Sequence, residues 1–119
     1  MKYCELTVWQ QSMDLATDIY RLTSRFPIEE RLGLSFEIRS SAISIPSNIA
    51  DGHGRKSTAA YLNHLSISYG ALMELETQLQ LAFRLSFVSA DEVSKLLAQT
   101  NEVGKLLMGI KKSLTTDGQ

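Results

Sequence analysis

Ile43-Ser44-Ile45-Pro46-Ser47-Asn48-Ile49-Ala50-Asp51-Gly52-His53-Gly54-Arg55 is the stretch on which the fold turns, because an apolar stripe at helical spacing runs through a proline and stops at two glycines. Ile38, Ala42, Ile45, Ile49 and Gly52 recur at steps of four and three, the spacing of one helix face. Pro46 lies inside that register, where it removes the hydrogen bond to the Ala42 carbonyl and crowds it, at roughly 3 kcal/mol in a regular helix interior. Two readings compete. Ser44 caps a new helix with Pro46 in its first turn, or one helix is kinked at Pro46, with Ser47 or Asn48 helping to satisfy freed backbone groups. The kink is the favoured expectation, since a break would rotate a stripe that instead keeps its register. Gly52 and Gly54 are expected to end the helix through their permissive backbone.

Working outward, Thr7 and Gln10 have the spacing of a capping box and predict the start of a first helix. Trp9, Met13, Ala16, Tyr20 and Thr23 form its apolar stripe, flanked by Val8, Leu15, Ile19 and Leu22. Pro27 ends it at or near Phe26. A charged connector over 27–33, with room for one helical turn, leads to the second helix near Gly33. Beyond the glycines, Ser57 is placed to cap a third helix, expected to be the longest. Its face is Tyr61, Leu65, Ser68, Leu72, Leu75, Leu79 and Ala82. Ser89 and Glu92 repeat the capping-box spacing and open the last helix, whose stripe is Val93, Leu96, Thr100, Val103, Leu107, Ile110 and Leu114, before a polar tail expected to fray from Thr115. Four amphipathic helices with short connectors and no strand alternation predict an all-α, antiparallel up-and-down four-helix bundle with a proline-kinked second helix, as one domain over residues 1–119. The competing fold is a three-helix domain with the second helix split.

The chain of 119 residues is 44% apolar, enough to enclose one core, and its net charge of -1 gives no global attraction to nucleic acid or an anionic membrane. Cys4 is the only cysteine, so no internal disulfide forms. The N-terminus lacks the apolar run of a signal peptide and no stretch is long enough to span a membrane, which reads as a cytoplasmic protein without membrane contact.

No catalytic, cofactor or metal residues emerge. Gly54-Arg55-Lys56-Ser57 invites comparison with a phosphate-binding loop, but it lacks the upstream glycine spacing and follows a helix where such a loop follows a strand. His53 and His64 have no second ligand at helical spacing. Glu74 and Glu76, two apart on a helix, point in different directions, and the Glu-x-x-His pairs of a di-metal bundle are missing. Cys4 has no base placed beside it. Arg55 and Lys56 precede the third helix, whose N-terminal dipole favours an anion; the preferred reading is that they extend into water and toward the end of the second helix.

Leu6-Thr7-Val8-Trp9-Gln10, Ser44-Ile45-Pro46-Ser47-Asn48-Ile49-Ala50-Asp51-Gly52 with Gly54-Arg55, and Leu72 to Gln80 together resemble the bacterial four helix bundle protein family, also called the 23S rRNA intervening-sequence proteins. The resemblance covers nearly the whole chain. It implies an up-and-down bundle assembled into a ring-shaped homopentamer, with no established biochemical activity and no cofactor. A related branch, the accessory variability proteins of diversity-generating retroelements, binds nucleic acid and partners a reverse transcriptase. Those relatives are strongly basic and this chain is slightly acidic. Asp51 stands where the family usually has Glu, and Arg55 and Lys56 keep its basic run. With Ile43 and Leu81 on sides that a lone bundle leaves wet, the expectation is a non-enzymatic homo-oligomer acting as an assembly or scaffold module. The alternative is RNA or DNA binding, with Arg39, Arg55, Lys56 and Arg84 as phosphate contacts.

Overall fold

The computed structural model describes residues 1–117. After a turn of 3-10 helix at Tyr3–Glu5, Leu6 takes an extended backbone and the chain enters α1, Thr7–Thr23. The Thr7 capping box does not form: Leu6 is the capping residue, no side chain caps it, and the Gln10 amide donates instead to the Cys4 carbonyl at 3.0 Å. A second 3-10 turn at Ile28–Glu30 fills the connector after Pro27, and Gly33 leads into α2, Leu34–His53. The helix α3 spans Thr58–Arg84 and α4 spans Ala90–Asp117. At 28 residues α4 is longer than α3 at 27, and it continues through the tail expected to fray from Thr115.

In sequence order each helix packs on the next and α4 returns to α1, while the diagonal pairs α1–α3 and α2–α4 stay apart among the described residues. This is a four-helix bundle, 48 × 24 × 20 Å, with one core built from all four helices. The expected stripes of α2, α3 and α4 supply that core: Ile38, Ile45, Ile49, Leu65, Leu72, Leu75, Leu79, Val103 and Leu107 are buried. On α1 the flank and the stripe exchange roles. Val8, Leu15, Ile19 and Leu22 are buried, whereas Met13 and Tyr20 are exposed and Trp9 is half-buried.

α2 is one helix from Leu34 to His53 with Pro46 inside it, which excludes the split helix and the three-helix fold. α2 ends at Gly54 as expected, but without using a glycine's conformational freedom: Gly54 closes it in right-handed helical geometry (φ -81°, ψ -5°), and no described glycine has positive φ. The left-handed residue sits elsewhere. Ser86, between α3 and α4, has φ 64° and completes a Schellman turn: the Phe87 amide donates to the Ala82 carbonyl at 2.9 Å and the Ser86 amide to the Phe83 carbonyl at 3.0 Å. Phe87 is thereby delivered against Phe26, with ring centroids 5.5 Å apart.

The second capping box forms as read. The Ser89 amide donates to Glu92 Oε1 at 2.9 Å and the Glu92 amide to Ser89 Oγ at 3.1 Å. Glu92 also pairs with Arg25, tying α4 to the end of α1. The Ser89 backbone bond first, then Arg25, hold the Glu92 carboxyl below its ordinary range.

Two measurements follow from these turns. Ser86→Gly relieves a left-handed conformation that disfavours a side chain, and urea unfolding is expected to show a gain of about 0.5–1 kcal/mol. Because the Glu92 carboxyl is depressed in the folded state, its contribution is complete above the ordinary carboxylate range and is lost as pH falls below about 4. Glu92→Gln is expected to be less stable than the parent at pH 7 and to converge with it in acid, measured by thermal melts across pH.

Candidate functional site

The seam between α2 and α3 is set by backbone proximity. A Cβ added at Gly52 would meet the His64 Cβ at 2.7 Å and Tyr61 Cδ1 at 3.0 Å, so Gly52 works here as the residue that lets the helices touch. One stretch further along, buried Ser68 donates its hydroxyl to the Ile45 carbonyl at 3.0 Å, a bond from helix to helix just before Pro46.

Around that contact the residues of the opening motif form a polar chain. Asn48 Nδ2 donates to the Ser44 carbonyl at 2.9 Å and lies 3.1 Å from Ser44 Oγ, which leaves its Oδ1 as the acceptor facing His64 Nδ1 at 3.0 Å. His64 Nδ1 therefore carries a hydrogen. His64 Nε2 faces Asp51 Oδ2 at 3.6 Å, and Asp51 Oδ1 takes the Arg55 guanidinium at 3.0 Å. At the end of the seam the Met1 carbonyl can only accept, so His53 Nε2, 2.7 Å away, donates to it. His53 Nδ1 then accepts from the Tyr61 hydroxyl at 3.2 Å. Burial pushes the Tyr61 phenol up, which keeps that donor protonated.

This seam positions side chains without assembling reactive groups. Every polar member is engaged by a neighbour, and no group of three or more metal-ligating residues occurs among the described residues.

The opposite side of α2 is different. Trp9, Met13 and Tyr20 of α1 with Ile43 and Pro46 of α2 line an open, mainly apolar groove of about 450 Å³. Met13 is 40%, Tyr20 42% and Ile43 43% exposed, and about two turns before Ile43 on the same face of α2 Phe36 is 55% exposed. From Ser40 to Ala50 no residue of α2 is charged. The outer faces of α1 and α4 instead carry exposed Asp14, Arg21, Lys95, Glu102 and Lys105. Ordinary solvated helix faces carry more charge than this one.

Of the cations read from the sequence, Arg55 and Lys56 adjoin each other ahead of α3, and Arg84 stands at its far end. Arg39 donates to Thr23 Oγ1 at 2.7 Å and to the Tyr20 carbonyl at 3.2 Å, and lies 4.4 Å over the Tyr20 ring, so it clamps α2 to α1. Arg55 is paired with Asp51. Lys56 is exposed just before α3 and Arg84 is the last residue of that helix, about 40 Å away at 1.5 Å per residue. Sequence reading missed Met13 and Tyr20 as exposed residues, whereas Trp9 is half-buried and packs against the core. The available signal was that α1 has two adjacent apolar stripes, more than one core face requires.

The family model for the 23S rRNA-intervening sequence protein matches residues 4–109. The chain belongs to this family. Among solved structures, the chain is similar to a protein of unknown function from the S23 ribosomal protein family of Bacteroides thetaiotaomicron. The identity is 26%, the TM-score 0.83, and the match covers 89% of this chain and 99% of that one. No curated protein matches the chain. Neither description names an enzymatic activity.

Within this family member the Asn48 side chain is the link between Ser44 and His64. Asn48→Ala is expected to lower stability by about 1–2 kcal/mol in urea unfolding, because both partners lose a part-buried bond.

Proposed function

We propose that this chain is a non-enzymatic, homo-oligomeric assembly module whose subunits meet through the apolar groove between α1 and α2. The observation that carries this reading is the coincidence of Met13, Tyr20, Ile43 and Phe36, all large, apolar and 40–55% exposed, with an α2 face that has no charge from Ser40 to Ala50. A monomer leaves that surface in water, and covering it with another copy removes the apolar area from water at about 25 cal/mol per Å². The polar seam on the other side of α2 supports the same reading, since it fixes the helix so that Ile43 and Ser47 face outward.

A ring is the form of assembly that the family likeness suggests, with five subunits as the expected number. Nucleic-acid binding has less to stand on. Arg39 and Arg55 are committed to intramolecular partners, and Lys56 and Arg84 lie at opposite ends of α3.

The test is the mass in solution. At micromolar concentration, sedimentation or light scattering is expected to give a whole multiple of the 13.3 kDa chain. Ile43→Arg, which places a charge in the groove, is expected to move the mass toward the monomer while helical circular dichroism is retained. A parent protein that is monomeric at these concentrations would overturn the proposal.

A further inference from the structure

Across the bundle from that groove, α3 and α4 leave an open pocket of about 440 Å³ between them. Tyr69, Met73 and Glu76 of α3 line it together with Thr100, Lys105 and Met108 of α4. An aromatic ring and two thioethers give it an apolar character, and Met108 is 49% exposed. Into this setting the sequence places one carboxylate, Glu76, and one ammonium, Lys105.

The two charges are not matched within the chain. Glu76 is half-buried, and buried Thr100 donates its hydroxyl to Glu76 Oε2 at 2.7 Å. The same hydroxyl lies 2.9 Å from the Leu97 carbonyl, so one hydrogen serves two acceptors. Glu76 Oε1 has no hydrogen-bond partner among the described residues, and no described cation pairs with the carboxylate. A carboxylate drawn partly out of water requires such compensation. Lys105 lines the same pocket without pairing with it. Thr100, which positions Glu76, and Lys105 lie five residues, about 7.5 Å, apart along α4, so the charges are spaced along the pocket.

We propose that this pocket binds a small zwitterion of the amino-acid class, an ammonium and a carboxylate carried on an apolar side chain. Glu76 Oε1 accepts from the ligand ammonium, Lys105 donates to the ligand carboxylate, and Tyr69, Met73 and Met108 surround the apolar group. Charge decides the class. A ligand with an ammonium alone sets a like charge beside Lys105, and one with a carboxylate alone sets a like charge beside Glu76, whereas a zwitterion compensates both. The Tyr69 ring adds attraction for a cation, and the methionines adapt to side chains of different shape. The site is independent of the assembly reading, because it uses no residue of the α1–α2 groove.

The methionines provide the test. Met73 and Met108 line the pocket, whereas Met13 lies in the α1–α2 groove and Met1 at the N-terminus. In protein with isotopically labelled methionine methyls, L-phenylalanine is expected to shift the Met73 and Met108 resonances through its ring current and to leave Met1 and Met13 in place. Phenethylamine, which lacks the carboxylate, and phenylpropionate, which lacks the ammonium, are expected to bind more weakly than L-phenylalanine. Glu76→Gln keeps an acceptor for the Thr100 hydroxyl and removes the charge, and is expected to weaken L-phenylalanine binding about tenfold. Lys105→Gln, on an exposed side chain, is expected to weaken it about threefold. Circular dichroism checks that both variants are folded. The proposal is overturned if the Met73 and Met108 methyls do not move at about 10 mM L-phenylalanine, where even a millimolar Kd fills the site. Equal shifts at Met13, equal binding of either single-charge analogue, or a variant that binds as the parent does would overturn it as well.

Discussion

The contact between Gly52 and the Cβ of His64 is the constraint from which the arrangement of α2 follows. With no side chain at Gly52, the two helices meet closely enough for Ser68 to bond the Ile45 carbonyl and for His64 to reach both Asn48 and Asp51. Those bonds fix the rotation of α2 about its own axis. Once that is fixed, Ile38, Ala42, Ile45 and Ile49 enter the core and Phe36, Ser40, Ile43 and Ser47 face outward. Pro46 adds its ring to the floor of the outer groove, and the backbone bond it cannot make is the cost of that placement.

The molecule therefore has two unlike sides. Along α1 and α4, ion pairs such as Arg25 with Glu92 and Arg21 with Asp18 hold an ordinary solvated surface. Along the exposed parts of α2 and α3, charge disappears over two segments at the same height of the bundle, bridged internally by Ser68 and Ile45. Surface ion pairs contribute little to stability, so the charged side is explained by solubility. The uncharged side has no such explanation in a monomer. Under the proposed assembly, another copy covers its apolar residues.

Most of the fold was legible because it rests on local signals that one chain contains. The stripes of α2, α3 and α4, the Ser57 cap and the Ser89–Glu92 box all depend on spacing alone, and the Ser57 hydroxyl does accept from the Ala60 amide at 3.1 Å. The failures have physical reasons. Thr7 matched a capping pattern, but the extended residue is Leu6, a choice made by the preceding turn. Gly52 looked like a helix stop, and its actual task, contact with a helix distant in sequence, leaves no local trace. Ser86 takes the left-handed position without the glycine that would have announced it. The exposure of Ile43 and Leu81 was foreseen, whereas Met13 and Tyr20 were assigned to the core because periodicity cannot say which of two apolar stripes a bundle will use.

Trp9 is the only tryptophan and lies at the groove, so it reports whether a second molecule covers that surface. The most direct measurement is acrylamide quenching of Trp9 fluorescence in the parent chain along a dilution series that takes it from the proposed assembly toward the monomer. If a neighbouring copy covers the groove, Trp9 is shielded at high concentration and becomes more accessible on dilution. Equal quenching across the series would contradict the account.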